Sequence, residues 1–326
     1  MTRAPVALSC GEPAGIGPEI AVSAWSALRE EMAFFWIGDP RHLPDGAKYT
    51  CITNPADAPD AMADALPVLP LSLNGSARKG TPDPANASGV IKAIETGVAL
   101  VQSGAACALC TAPIHKKALI DGAGFAYPGH TEFLAALAGV DQVVMMLAAE
   151  AITPPLRVVP ATIHIPLRDV PERLTAESLR RTLEITCQGL RDRFGITHPR
   201  IAVSGLNPHA GEAGAMGHED AAVIAPVINA LRDAGMDVTG PLPADTMFHA
   251  AARARYDAAV AMYHDQALIP IKTLDFDGGV NVTLGLPFVR TSPDHGTACD
   301  IAGMGIARPD SLIAALRLAH RMADRA

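Results

Sequence analysis

Two patterns of hydrophobic and polar positions follow one another along the chain from end to end. Short apolar runs predict buried strands, and the longer segments between them have the apolar spacing of amphipathic helices. In 176–194, the clearest helical segment, apolar residues recur at helical spacing and form one stripe. Strands that alternate with helices predict an α/β fold whose parallel strands are joined by crossover helices.

The predicted elements cover most of the chain. The predicted strands lie in the segments PVALSC, AFFWIGD, ACALCTA, QVVMMLA, RVVPATIH, RIAVSGLN, AAVAMYH and VNVTLGL. The predicted helices include residues 17–30, 88–102, 176–194, 219–233 and 310–322. The polar stretch 73–87 is rich in Gly and Pro and predicts a long loop, either a flap or an arm.

Composition narrows the classes of protein that fit. Hydrophobic residues make up 49% of the 326 residues but aromatic residues only 4%, which favours Ala, Val, Leu and Ile cores of one or two α/β units. The net charge of -8 disfavours nucleic-acid binding, because that needs a basic face. No segment resembles a signal peptide or a membrane span, and six scattered cysteines fit reduced thiols, so we expect a cytoplasmic protein without a membrane partner.

Three histidines each follow the carboxyl end of a predicted strand: His164 in ATIHIPL, His209 in LNPHAGE and His264 in MYHDQ. Ligands of open α/β sheets bind beyond these ends, so one crevice could receive all three imidazoles. Neutral imidazoles bind zinc and similar metals, and three ligands leave positions open for substrate. The alternative is three hydrogen-bonded structural histidines. Asp265, next to His264, could orient the imidazole, act as a base or cap a surface helix.

Two further groups of residues have the chemistry of anion sites. Lys272, Asn281 and Arg290 surround a predicted strand and could clamp a phosphate or carboxylate, or could form a solvated strand end paired with nearby aspartates. His130 and Thr131 begin a predicted helix, whose first N–H groups bind anions unless the helix is simply capped. Neither a P-loop nor a G-x-G-x-x-G fingerprint is present, because the glycines near the start have the wrong spacing.

Several long motifs together resemble the 4-hydroxythreonine-4-phosphate dehydrogenase (PdxA) family, within the isocitrate/isopropylmalate dehydrogenase-like superfamily. They are GEPAGIGPEI, TAPIHKKAL, GHTEFLA, TIHIPL, GLNPHAGE, GPLPADT, MYHDQALIPIK and GVNVTLGLPFVRTSPDHGTACDIAG. The resemblance implies two α/β/α domains without a Rossmann motif, and an active site in the interdomain cleft at a homodimer interface. Residues 1–128 with 290–326 would form the outer domain with the cofactor loop, and 129–289 the central domain with the metal ligands and dimer interface.

The resemblance also assigns roles to individual residues. It implies that His164, His209 and His264 bind a divalent metal (Zn, Mg or Co), with ligands from both subunits. The implied substrate contacts are His130, Thr131, Lys272, Asn281 and Arg290. The cofactor candidates are His295, Gly296, Thr297 and Asp300. The candidates for the general base are Asp245, Asp265 and Lys272.

The reaction that the resemblance implies uses NAD or NADP and a phosphorylated amino hydroxy acid. 4-Phosphohydroxy-L-threonine would be oxidised at C3 to a β-keto acid, which loses CO₂ to give 3-amino-2-oxopropyl phosphate during pyridoxal 5'-phosphate (vitamin B6) synthesis. The nearest alternatives are dehydrogenases of threonate or erythronate 4-phosphate or of cis-dihydrodiols. A cofactor-free metal hydrolase or an acyltransferase is a further alternative, disfavoured by HGTACDIAG, which is similar to the adenosine-binding loop of the superfamily.

Overall fold

The structure, a computed structural model, describes residues 3–325. The strands are β1 (Val6–Ser9), β2 (Phe34–Gly38), β3 (Tyr49–Cys51), β4 (Leu66–Pro70), β5 (Ala108–Thr111), β6 (Val144–Ala149), β7 (Leu156–Pro160), β8 (Arg200–Ser204), β9 (Asp237–Leu242), β10 (Ala258–Ala261), β11 (Val280–Leu284) and β12 (Arg290–Pro293). The helices are α1 (Gly17–Leu28), α2 (Ala58–Ala61), α3 (Ala87–Gln102), α4 (Lys116–Ala123), α5 (His130–Ala138), α6 (Val170–Arg173), α7 (Ala176–Phe194), α8 (Ala225–Asp233), α9 (Ala250–Arg253), α10 (His264–Leu274) and α11 (Asp310–Ala323). No helix within 3–325 combines the length and apolar character needed to cross a membrane.

The predicted elements are confirmed, with differences in detail. Each predicted strand segment overlaps an observed strand, and the predicted helices correspond to α1, α3, α7, α8 and α11. The helix predicted over 219–233 begins with a π-helical turn, Asp220–Ile224, before α8. Sequence patterns missed four strands. These are β4, β9, the exposed three-residue strand β3, and β12, whose sequence RTSP is polar although buried.

The chain divides into two compact units. One contains residues up to Val143 together with Leu286–Asp324, and the other contains Val144–Gly285. Both boundaries differ from the domain limits inferred from the resemblance, which lie after 128 and before 290. Residues 129–143 belong to the first unit because α5 packs on α3 there, and the buried ring of Phe133 meets that of Phe125 at 5.2 Å. Residues 1, 2 and 326 of the expected outer domain lie outside the described residues.

The first unit contains a parallel sheet with the strand order β3, β4, β2, β1, β5, β12. Strands β1, β2 and β5 are buried along their whole length, which explains their unbroken apolar sequences. Helices α3 and α11 pack against these strands, and α1 packs against α11. The parallel arrangement brings the carboxyl ends of β1, β5 and β12 to one edge of the sheet.

The second unit has the strand order β11, β6, β7, β10, β8, β9. The expectation of purely parallel strands is wrong for β6, which is antiparallel to both β11 and β7. The segment between β6 and β7 is too short for the crossover helix that a parallel pair requires. Strands β7, β10 and β8 are parallel neighbours, so their carboxyl ends lie along one edge.

The loop predicted over 73–87 is closed by side chains of its own far end. Asn86 Oδ1 accepts a hydrogen bond from Gly75 N at 2.7 Å, and Asp83 Oδ2 accepts one from Ser76 N at 2.7 Å. Gly80 N donates to Ala14 O at 2.7 Å, which ties the loop to the turn after β1. These contacts make the segment an ordered arm of the first unit.

Candidate active site

Two of the three strand-end histidines lie side by side in the second unit. His164 follows β7 and His264 is the first residue of α10, directly after β10. Their ring centroids are 5.5 Å apart and their planes are inclined by 42°. Both residues line a cavity of about 270 Å³ with Thr162 and Tyr263. Two imidazoles that share an open cavity are suited to bind a metal together.

Asp265 orients the imidazole of His264. His264 Nδ1 donates a hydrogen bond to Asp265 Oδ1 over 2.7 Å. A carboxylate bound to one ring nitrogen fixes the tautomer and leaves Nε2 as the nitrogen that can bind a metal. Of the roles that the sequence left open for Asp265, orientation of His264 is therefore the one seen directly.

His209 lies on a differently constructed turn. It follows β8, and the backbone from His209 to Ala213 has positive φ angles, 53° at His209. Asp220, which is buried, anchors this segment by accepting hydrogen bonds from Leu206 N at 2.8 Å and Asn207 Nδ2 at 2.9 Å. Nowhere in residues 3–325 do three His, Cys, Asp or Glu side chains come close enough to hold a metal. Among these residues, the three imidazoles are therefore not gathered in one crevice of one chain.

A hydrogen-bond network, which the sequence did not reveal, ties together the ends of the three histidine-bearing strands. Thr162 Oγ1 donates to Met262 O at 2.7 Å. Gln266 Oε1 accepts from Met262 N at 2.7 Å and from Ser204 Oγ at 2.8 Å, and its Nε2 donates to Gly205 O at 2.8 Å. The available signal was Gln266 in MYHDQ, an amide in the first turn after a buried strand.

Two of the three candidate bases line one cavity. Asp245 and Asp265 both border a cavity of about 400 Å³ in the second unit. Asp265 also borders the cavity of the paired histidines. Lys272 lies further along α10, with its Nζ 5.1 Å from the centroid of the Phe276 ring. The two carboxylates therefore line one cavity, and only Asp265 of the two also lies at the histidine pair.

The start of α5 in the first unit has the features of an anion site. Gly129 precedes the helix as its N-cap residue and makes no side-chain hydrogen bond to the first N–H groups. His130 Nε2 is buried and has no hydrogen-bond partner among residues 3–325. Burial, reinforced by the charge of Arg290, holds the pKa of His130 well below its ordinary value.

Arg290 contributes a buried positive charge to the same unit. It begins β12, its side chain and backbone are 2% exposed, and its Nη2 donates to Thr111 Oγ1 at 2.6 Å. Burial lowers the pKa of Arg290 to about 10. The solvated strand end considered from the sequence is therefore wrong for Arg290. A buried guanidinium whose charge acts on a buried imidazole favours a negatively charged ligand.

The remaining substrate candidates are distributed between the units. Thr131 follows His130 in the first turn of α5. Asn281 lies in β11 opposite Leu147, and its Oδ1 is buried without a partner among the described residues. Such an atom is costly unless a ligand or water satisfies it. His130, Thr131 and Arg290 thus belong to the first unit, and Lys272 and Asn281 to the second.

The cofactor candidates form a loop that packs on the turn after β1. Thr297 O accepts a hydrogen bond from Ile16 N at 3.0 Å. A Cβ atom on Gly15 would lie 2.5 Å from Thr297 O, so the close approach requires glycine. The sequence placed neither Gly15 nor Ile16 at this site. The signal was GEPAGIG itself, set aside because its spacing is not that of the dinucleotide fingerprint.

Within that loop, one ring nitrogen of His295 has a hydrogen-bond partner and the other has none among residues 3–325. Its Nδ1 lies 2.8 Å from Gly296 O, and its Nε2 is buried with no partner in residues 3–325. Gly296 and Asp300 are exposed. The loop therefore offers polar groups to a ligand while the turn at Gly15 supports it from behind.

Comparison with known proteins agrees with these features. Residues 30–319 match the family model described as pyridoxal phosphate biosynthetic protein PdxA. The 4-hydroxythreonine-4-phosphate dehydrogenase of Ruegeria sp. (strain TM1040) is 70% identical, over 99% of this chain and 98% of that protein. The crystal structure of the enzyme of that name from Klebsiella pneumoniae has a TM-score of 0.87 at 39% identity, covering 98% of this chain and 99% of that one.

A more distant structure confirms the expected fold. The β-decarboxylating dehydrogenase of Thermococcus kodakarensis has a TM-score of 0.51 at 15% identity, covering 99% of this chain and 85% of that one. This likeness concerns the fold alone. The full-length identity to Ruegeria and Klebsiella proteins is far stronger. The chain therefore belongs to the PdxA family and is, like those relatives, a dehydrogenase.

Proposed function

We propose that the chain is a 4-hydroxythreonine-4-phosphate dehydrogenase that needs NAD and a divalent metal. It oxidises the C3 hydroxyl of 4-phosphohydroxy-L-threonine, and the resulting β-keto acid loses its carboxylate as CO₂ to give 3-amino-2-oxopropyl phosphate. The observation that carries this proposal is the pair His164 and His264, in which His264 is oriented by Asp265, a candidate base that shares a cavity with the second candidate, Asp245.

The histidines fit a divalent metal. Two neutral imidazoles, one held by a carboxylate through its second nitrogen, are a common ligand arrangement for Zn and Co. A cation held by His164, His264 and His209 would supply positive charge beside the oxygen that loses its proton. Because His209 lies apart from the other two, we propose that a second copy of the chain completes the ligand set in a homodimer.

The first unit holds the substrate's phosphate. The open N–H groups of α5, the buried His130 imidazole and the Arg290 guanidinium offer donors and positive charge to a dianion. Thr131 adds a hydroxyl at the helix start. Lys272 and Asn281 contact other polar groups of the substrate, and the unsatisfied Asn281 Oδ1 suits its ammonium or hydroxyl group.

Asp245 or Asp265 takes the proton of the C3 hydroxyl, since both carboxylates line one cavity near the paired histidines. Residues 295–300 would hold NAD, which would supply the acceptor for the C3 hydride. The orphaned His295 Nε2 and the close-packed turn at Gly15 fit a bound nucleotide there. The site is thus assigned a proton acceptor, an anion clamp and a cofactor loop from this chain's own residues.

The test is NADH formation by purified protein with a substrate panel. 4-Phosphohydroxy-L-threonine should be oxidised with one CO₂ released per NADH. Erythronate 4-phosphate, threonate 4-phosphate and a cis-dihydrodiol should be oxidised with much lower kcat/KM. 4-Hydroxy-L-threonine, the same compound without phosphate, is the control for the anion clamp. Faster oxidation of one of the other compounds would replace the proposed substrate, and NADH formation without CO₂ would refute the decarboxylation.

A further inference from the structure

Thr111 holds a position that no assigned role explains. It is the last residue of β5 and is fully buried. Valine has nearly the same shape as threonine but lacks the hydroxyl. Thr111 Oγ1 accepts a hydrogen bond of 2.6 Å from Arg290 Nη2. The bond joins a buried hydroxyl to a buried charge across 179 residues of sequence, so the fold itself creates this contact.

Strand register explains how the two side chains meet. Strand β12 runs parallel to β5, with Arg290 opposite Leu109. Side chains alternate between the faces of a strand, so Leu109 and Thr111 point to the same face. The side chain of Arg290 leans along the strand to reach Thr111, which lies two residues beyond its backbone partner. The hydroxyl therefore sets the direction of the guanidinium on that face.

We propose that Thr111 is a positioning residue, whose hydroxyl aims the Arg290 guanidinium at the negatively charged group of the substrate. This inference rests on the proposed function, in which Arg290 contacts substrate. A guanidinium binds phosphate or carboxylate through a planar fork, so the direction of the plane decides whether two parallel hydrogen bonds can form. Arg290 also acts on His130 through its charge, which places the aimed group within electrostatic reach of the start of α5.

The chain offers a closely matched control residue. Thr291 neighbours Arg290 in β12, is equally buried, and also uses its hydroxyl, which donates to Ala315 O at 2.9 Å. Thr111→Val and Thr291→Val make the same chemical change, replacing a buried hydroxyl by a methyl group of similar size. Both changes should reduce thermal stability. Only Thr111→Val removes the hydroxyl that accepts the hydrogen bond from Arg290 Nη2.

The test compares kinetic constants and anion binding for these variants. Thr111→Val should raise KM for 4-phosphohydroxy-L-threonine about 10-fold, the usual effect of losing one hydrogen bond to a charged group, with little change in kcat. Thr111→Ser, which keeps the hydroxyl, should restore KM. Thr291→Val should leave KM unchanged. Calorimetric titration with inorganic phosphate should give the same order of affinities without any turnover.

Arg290→Ala separates failure of this inference from failure of the proposed function. If Arg290→Ala weakens substrate and phosphate binding but Thr111→Val does not, Thr111 has no positioning role. If Arg290→Ala changes neither substrate binding nor phosphate binding, or if the wild-type protein binds neither substrate nor phosphate, the proposed anion clamp and the role of Thr111 are both refuted. The double variant should bind no more weakly than Arg290→Ala, because Thr111 acts through Arg290. Additive losses would contradict that route.

Discussion

The two groups of residues that the proposed reaction uses are built in opposite ways. In the first unit, the Arg290 side chain and the Nε2 atom of His130 are buried, and strand and helix positions fix both residues. In the second unit, His164 and His264 face an open cavity, and His209 lies on a separate turn. The charged groups of the first lie within one chain, whereas the second brings together two of the three proposed metal ligands.

This difference predicts which binding property a substitution in each group should change. A buried charge has already lost its hydration, so the anion clamp depends strongly on each donor and on its direction. Metal binding at the imidazoles of the second unit depends instead on how many ligands gather around one cation. Substitutions in the first unit should therefore act on substrate affinity, and those in the second on metal affinity and turnover.

The largest effect is expected for His264→Ala. Loss of a metal ligand should weaken metal binding more than loss of a residue that only hydrogen-bonds to a ligand. Affinity for Zn or Co should therefore fall by more than about 100-fold, and kcat at a fixed metal concentration should fall as well. Calorimetry on metal-free protein and initial rates measure the two effects. His198→Ala, which alters an exposed histidine before β8, is the matched control. Full activity of His264→Ala at low metal would remove it from the ligand set.

Mixed dimers sharpen the same comparison. His209→Ala and His264→Ala proteins should each be inactive alone. If the two residues of one site come from different chains, unfolding and refolding the mixture creates heterodimers in which one of the two sites keeps all its ligands. Activity should then return in part. A mixture that forms heterodimers yet stays inactive would place both residues of a site in one chain.

Arg290→Ala should mainly impair substrate capture. Removing a buried charge that pairs with a ligand should raise KM about 100-fold, with a smaller change in kcat. Arg290→Lys keeps the charge but loses the planar fork, so it should restore only part of the affinity. Metal affinity measured without substrate should not change in either variant. An unchanged KM in Arg290→Ala would exclude the residue from the clamp.

Asp265→Asn should weaken metal binding about 10-fold, because an amide holds the His264 ring less firmly than a carboxylate. Asp245→Asn should leave metal affinity unchanged. If one of these two variants has a much lower kcat even at saturating metal, the aspartate replaced in it is the proton acceptor. Loss of kcat in neither would leave Lys272 as the base.

The smallest effect concerns pH. The folded protein disfavours protonated His130, whereas the unfolded chain protonates this residue at its ordinary pKa. Its contribution to stability is therefore complete above that ordinary pKa and declines as the pH falls below it. NMR titration should show His130 neutral through the usual range, and a bound phosphate should raise its pKa. His42, whose pKa burial also lowers, should not respond to phosphate. A response of both would indicate a global change.

Much of the fold follows from the sequence because burial of an element can be recognised from the spacing of its apolar residues. Strands such as β1 and β2 are unbroken apolar runs, and α7 carries one apolar stripe. Strand direction leaves no such mark, since β6 has the same periodicity whether it runs parallel or antiparallel. Only the short connection to β7 could have indicated its reversal.

The site was predictable where chain topology alone brings residues together. Parallel neighbouring strands put His164 and His264 at one sheet edge, as their sequence settings indicated. The contact of Arg290 with Thr111 depends on register between distant strands, which the sequence does not encode locally. The same holds for Gln266, whose amide joins two strand ends only after both are in place.

The most direct test of the proposed function is NADH formation from 4-phosphohydroxy-L-threonine by protein that has been stripped of metal with a chelator and then reloaded. We expect the stripped protein to be inactive, and we expect Zn, Mg or Co to restore the rate in wild type but not in His264→Ala. Equal rates before and after stripping, with metal removal confirmed by elemental analysis, would contradict it.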